Sequence, residues 1–184
     1  MDLVSLNNSH TDKNTVHSYL PLYDDLLKPI KNTKGNILEI GVYVGGSIKL
    51  WSDYFTNATI YGCDISPKCQ MESLKNNDKV VLKLNENAYN KAYVEKNFSD
   101  KKFDFLIDDG PHTLESQINF IELYLPLLSE NGILVIEDVQ DYNWLDILIS
   151  KTPECFKKYI KTYDLRKNKG RYDDIVFTID KISK

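Results

Sequence analysis

From Phe103 to Asp141 the chain reads as an apolar run, an amphipathic segment and a second apolar run, and each apolar run stops at an acidic pair. The first run, Phe103 to Ile107, meets Asp108 and Asp109, with His112 just behind them. The second, Ile133 to Ile136, meets Glu137 and Asp138. Short unbroken apolar runs suit strands buried on both faces of a parallel sheet. Parallel neighbours need a crossover between them, and the segment from Thr113 or Glu115 to about Leu128 supplies a helix for it. Two such strands side by side bring four carboxylates and an imidazole to one crevice at their carboxyl ends. That is the edge where open α/β sheets bind ligands.

The rest of the chain repeats the alternation. Ile37 to Ile40, Ala58 to Cys63 and Val80 to Leu84 read as three further strands. Helices are expected from Thr15 to about Leu27, from Gly46 to Tyr54, from Ala88 to Phe98 and from Tyr142 to Ile149. Phe156 to Tyr163 and Ile175 to Ile179 are strand candidates joined by a short polar run, which suits a hairpin better than a crossover. The expectation is an α/β fold, a doubly wound, mostly parallel seven-stranded sheet closed by a C-terminal antiparallel hairpin. One domain is expected over residues 1–184, with an N-terminal arm and helix over 1–30 and the core over 36–184. Residues 1–14 read as a loop or mobile arm.

Net charge is −4 and no basic block stands out, which disfavours nucleic acid as a partner. No apolar run has the length of a membrane span, and the polar N-terminus has no signal-peptide core. Cys63, Cys69 and Cys155 lack the spacing of a zinc site and read as passive thiols of a reducing compartment. A cytoplasmic location is the expectation.

The turn after the first strand, Leu38 to Ser47, carries Glu39, Gly41, Gly45 and Gly46. Its spacing is neither the dinucleotide Gly-x-Gly-x-x-Gly nor a Walker loop. Glu39 would repel a diphosphate and suit a cationic ligand, and Asp64 at the end of the second strand is placed to accept ribose hydroxyls. A ribose, no phosphate and a positive charge describe S-adenosylmethionine. The plainer alternative is a Gly-rich turn with a surface aspartate. Glu-x-Gly-x-x-x-Gly followed by an acid ending the next strand resembles the class I S-adenosylmethionine-dependent methyltransferases, whose Rossmann-like fold is the one expected here.

Asp109 and Asp138 stand one strand–helix–strand unit apart. Carboxylates converging from separate elements make an oxygen site suited to Mg2+, although either acid alone could simply cap the helix that follows. His112, beyond Gly110-Pro111, is placed to act as a general base at neutral pH. His10 and His17 read as structural or solvent-facing.

Ile-Asp-Asp-Gly-Pro-His, then a helix and Leu-Val-Ile-Glu-Asp, resembles the Mg2+-dependent macrolide-sugar O-methyltransferases of the mycinamicin and macrocin type, and also the cephalosporin hydroxylase-like proteins. His10-Thr-Asp-Lys13 with His17, Tyr19 and Tyr23, and Tyr163-Asp-Leu-Arg166 with Arg171, Asp173 and Asp174, are similar to the same group. The resemblance implies metal on Asp109 and Asp138, with Glu137 as a further candidate ligand, and His112 as base. It implies a cofactor site of Glu39, Gly41, Gly45, Ser47, Asp64 and Ile65. Asn87 and Ala88 would flank the adenine, and Asp108 would face the methionine part. Thr11 and Tyr19 would close over cofactor or acceptor. The implied acceptor is a sugar, as a nucleotide sugar or in a glycan, and a homodimer fits the same group. A catechol-like diol, a metal enzyme that transfers no methyl group and a non-catalytic cofactor-binding protein are the alternatives.

Overall fold

A computed structural model describes residues 2–6 and 11–182. His10 lies outside the described residues. The element order is α1 (Leu20–Leu27), β1 (Asn36–Ile40), α2 (Gly46–Tyr54), β2 (Thr59–Asp64), α3 (Glu72–Lys75), β3 (Val80–Leu84), α4 (Lys91–Phe98), β4 (Phe103–Asp108), α5 (Leu114–Tyr124), β5 (Leu128–Ile136), α6 (Trp144–Lys151), α7 (Glu154–Lys157), β6 (Ile160–Asp164), α8 (Arg166–Lys169) and β7 (Ile175–Asp180). The strands form one sheet in the order β3-β2-β1-β4-β5-β7-β6. The first five are parallel, and β7 runs antiparallel to both β5 and β6. The expected fold class and the closing hairpin are therefore observed.

Strand alternation sends side chains to two apolar layers. One packs Trp51, Phe105, Ile107, Val135 and Val176 with Tyr23 and Leu27 of α1. The other packs Leu38, Leu106, Leu134 and Phe177 with Phe98, Phe120 and Tyr124. The central strands are buried on both faces, which is why they read as unbroken apolar runs.

Four element starts differ most from expectation. Helix α1 starts at Leu20 rather than Thr15, because Pro21 sits in its first turn and Thr15 donates its hydroxyl to the Thr11 carbonyl at 3.2 Å instead. Helix α4 starts at Lys91, where the Asn90 side chain accepts from Tyr93 N–H and caps it. Strand β5 starts at Leu128, opposite Phe103, and not at the expected Ile133. Strand β6 begins only at Ile160, since Pro153 opens the short helix α7, which takes in Phe156.

Register decides what reaches the ligand edge. Ile40 pairs with Asp108 and Asp108 with Ile136, so Gly41, Asp109 and Glu137 all leave the sheet at one level. Gly41 has φ +97°, and a Cβ there would land on the Asp109 carbonyl. Gly170 also has positive φ, +73°, but open space around it. Gly170→Ala should therefore cost about 1–2 kcal/mol, the ordinary left-handed penalty, and Gly41→Ala markedly more. Urea denaturation of the two variants checks this, and equal losses would refute the close-approach role of Gly41.

Candidate active site

A cavity of about 660 Å³ runs along the carboxyl ends of β1 to β4. Its size lies in the range of small-molecule sites. Of the residues singled out from sequence, Thr11, Gly41, Ser47, Asp64, Ile65, Asn87, Ala88, Asp109 and His112 line it. Glu39, Gly45, Asp108, Tyr19, Glu137 and Asp138 do not appear on its wall.

The turn between β1 and α2 is shaped by Asp64. Its Oδ2 accepts the backbone N–H groups of Val42 at 2.8 Å and Tyr43 at 2.7 Å, and its Oδ1 accepts Ser66 N–H at 2.7 Å. A carboxylate offers about four acceptor positions, so one direction is left for a ligand hydroxyl. Gly45 adopts φ +98° behind the wall, where a Cβ would press on Cys69 and Leu74. Its role is to start α2 against α3, not to face the cavity.

Backbone conformation aims the other groups. Tyr43, Asn85, His112 and Asp138 all have positive φ, and they follow β1, β3, β4 and β5. Non-glycine residues held in this region cluster at functional sites. At the ends of β4 and β5 the result is a close set. His112 Nε2 lies 3.7 Å from Asp109 Oδ1 and 3.5 Å from Asp138 Oδ2. One ligand atom from each of the three lies within 4.8 Å of the others, a spacing that could hold a metal ion. The predicted grouping of Asp109, His112 and Asp138 is thus present.

Glu137 is not part of it. Adjacent strand residues point to opposite faces, and Glu137 points behind the crevice to Lys13 Nζ and Tyr23 OH, one on each oxygen. Asp108 is likewise turned away, accepting from Tyr89 OH. Burial pushes its carboxyl up to about 7. Glu39 accepts from Ser47 Oγ at 2.7 Å and Trp51 Nε1 at 3.1 Å, and burial raises it to about 7 against the pull of Lys13. Tyr19 donates to Asp138 from behind and stacks on His17. These four residues support the site from behind the cavity wall.

Lys13 was not singled out as a site residue. It is fully buried, with Nζ 2.7 Å from Asp109 Oδ2, 3.5 Å from Glu39 Oε1 and in contact with Glu137 Oε1. Burial works against its charge, but Asp109, Glu137 and Glu39 outweigh that and hold its pKa well above the usual lysine range. His17 is also buried, with Nδ1 2.6 Å from Asp174 Oδ1 and 3.4 Å from Asp138 Oδ1. Residues 11–19 are therefore a docked strap and not a mobile arm. Nothing in the polar local pattern announces this; the Thr-Asp-Lys motif itself was the one available signal.

Residues 38–139 match the family described as "Methyltransferase domain". The chain belongs to that family. Among curated relatives, mycinamicin VI 2''-O-methyltransferase of Micromonospora griseorubida is 29% identical over 70% of this chain and 33% of its own length. Demethylmacrocin O-methyltransferase of Streptomyces fradiae is 27% identical over 71% and 34%. The chain thus spans about a third of the length of these relatives. Among solved structures, MycE methyltransferase in complex with Mg, SAH and mycinamycin VI superposes with TM-score 0.74 at 21% identity, over 98% of this chain and 53% of that one. CalS11, a TDP-rhamnose 3'-O-methyltransferase, gives 0.60 at 17% over 97% and 90%. No helix among the described residues of the chain is long and apolar enough to cross a membrane.

Removing Lys13 leaves buried carboxylates without their counter-charge, which costs about 3–5 kcal/mol in comparable cases. Lys13→Met should lose stability of that order in urea unfolding, and Glu137→Gln in the same chain should recover part of it through coupling. An unchanged midpoint would refute the cage.

Asp108 is raised in the fold to about 7. Between the unfolded carboxylate range and that value the unfolded state binds fewer protons, so this group lowers stability as pH rises from about 4 to 7. Asp108→Asn should gain on the wild type across that window, since an amide oxygen still accepts from Tyr89. Parallel unfolding midpoints across the window would contradict the shift.

Proposed function

We propose that this methyltransferase moves a methyl group from S-adenosylmethionine to a hydroxyl of a sugar, presented as a nucleotide sugar or in a glycan, with Mg2+ bound beside the acceptor. The observation that carries the reading is the opening of the cofactor-sized cavity onto Asp109 and His112, with Asp138 3.5 Å behind the imidazole.

The residues present suit both groups. The cavity spans the turn after β1, the Asp64 carboxylate at β2 and Asn87-Ala88 beyond β3, and its volume of about 660 Å³ suits a nucleoside joined to an amino acid. Asp64 retains an acceptor position for a ribose hydroxyl, as argued above. For the cation, Asp109 Oδ1 and Asp138 Oδ2 face one another across His112 Nε2, while Lys13 and Tyr19 occupy the opposite oxygens. Two carboxylates with room for waters and substrate oxygens match Mg2+. Glu39 and Asp108 are assigned a supporting role from behind, and Glu137 serves as the Lys13 partner.

When bound, S-adenosylmethionine supplies an electrophilic methyl and Mg2+ supplies charge that acidifies a neighbouring hydroxyl. The chain's part is to position and to move a proton. His112 Nε2 takes the acceptor hydroxyl's proton, and Asp109 and Asp138, at 3.7 and 3.5 Å, stabilise the imidazolium that results. Lys13 and Tyr19 keep those two carboxylates from rotating, so the hydroxyl and the methyl donor meet at one orientation. The relatives' activities support a sugar hydroxyl as acceptor: a mycinamicin 2''-position, demethylmacrocin and TDP-rhamnose.

His112→Ala should lower methyl transfer by about 10²-fold or more while S-adenosylhomocysteine binding, read by calorimetry, stays within about twofold. Undiminished turnover would remove the base assignment, and full wild-type turnover in a chelator would remove the metal.

A further inference from the structure

Beyond Asp138 the sheet edge carries side chains that neither the cavity nor the acid cluster uses. Strand β6 leaves the sheet at Asp164 and β7 enters at Ile175, antiparallel to β5, so the 165–174 connection emerges beside the end of β5. Two large rings stand in water there, Tyr142 at 52% exposure and Tyr172 at 62%. The chain's two arginines, Arg166 and Arg171, are at the same place. Arg166 lies 5.5 Å from the Tyr142 ring centre and Arg171 5.9 Å from that of Tyr172. Each guanidinium is already paired, Arg166 with Asp164 at 2.7 and 2.8 Å and Arg171 with Asp173 at 3.1 Å.

Tyr172 OH donates to Gln140 Oε1 at 2.6 Å, and Gln140 Nε2 donates to the Asp138 carbonyl at 3.1 Å. The exposed ring is therefore two hydrogen bonds from the acid cluster and held at a set orientation.

We infer that this rim is the acceptor subsite, taking a pyranose by its apolar C–H face on Tyr172, with Tyr142 flanking. The inference rests on the sugar reading above and adds where the ring sits. The charge balance favours an uncharged ring over a phosphate, since a phosphate site keeps its arginines free to form bidentate contacts. Each arginine lies against its tyrosine ring, and both tyrosines remain more than half exposed. Rigid aromatic faces of this kind are the usual anchors of recognition surfaces. Position agrees with this: cofactor in the cavity over β1 to β4 leaves the β5–β7–β6 side of Asp109, His112 and Asp138 for the acceptor, and the rim stands there.

The test is saturation-transfer NMR of methyl α-L-rhamnoside and of TDP-rhamnose, with S-adenosylhomocysteine calorimetry on the same samples. Both sugars should bind the wild type. Tyr172→Ala should weaken both by about fivefold or more, an aromatic anchor's ordinary contribution, and Tyr172→Phe should hold affinity within about twofold. S-adenosylhomocysteine affinity should not change in either variant. Cofactor binding without binding of either sugar, or sugar binding indifferent to Tyr172→Ala, overturns the subsite and leaves the methyltransferase assignment standing. Binding of TDP-rhamnose alone, lost on Arg171→Gln but not on Tyr172→Ala, makes the rim a phosphate site and overturns it too. Sugar binding that depends on Tyr172, in a protein that fails to bind S-adenosylhomocysteine, keeps the subsite and sinks the proposed donor.

Discussion

One buried ammonium makes the ligand edge of this sheet tenable. Four carboxylates, Glu39, Asp108, Glu137 and Asp138, are nearly or wholly removed from water, and Asp109 is partly so. Like charges so placed repel, and burial penalises each of them. Lys13 meets three of the five, and Tyr19, Tyr23, Tyr89, Ser47 and Trp51 donate to the members of the set. The pairing does work beyond stability. Lys13 and Tyr19 take the far oxygens of Asp109 and Asp138, so the oxygens these two acids leave open are the ones beside His112.

That arrangement ties the segment before α1 to the chemistry. Lys13, His17 and Tyr19 all come from residues 11–19, and Thr11 of the same stretch lines the cavity. Asp109 is held by the first of these three and Asp138 by the other two. The spacing between the two carboxylates is thus set by a strap as well as by the sheet register. The left-handed backbone at His112 and Asp138 fits the same account, because strained conformations persist where surrounding contacts over-determine them. The crevice divides accordingly: cofactor-sized space over β1 to β4, the acid–imidazole set at β4 and β5, and an aromatic rim beyond β5.

Much of this was legible in the residues. Apolar runs and helical periodicity are local signals, and they led to the parallel sheet, the closing hairpin and the grouping of Asp109, His112 and Asp138. A strand that ends in an acid places that acid at the carboxyl edge of the sheet, though not the direction it faces. Gly41, Asp64 and the family motifs led in the same way to the cavity wall. Element starts were less legible: Pro21 set the beginning of α1 where a capping threonine stood five residues or so earlier, and Asn90 outcompeted Ala88 as the start of α4.

What tertiary structure alone decided is which way each acid faces and what holds it. Lys13 and Asp109 are 96 residues apart, Lys13 and Glu137 124, and His17 and Asp174 157. No local period relates residues at such separations, so a polar stretch that reads as a free arm is in fact the site's counter-ion. Glu137 and Asp138 are chemically alike and adjacent, yet the pleat sends one to Lys13 and the other to His112. The sequence determined that acids would gather at this edge. Only the packing of residues 11–19 beneath it decided which of them remain open to a ligand, because a buried carboxylate must be paired and each pairing removes one direction of approach.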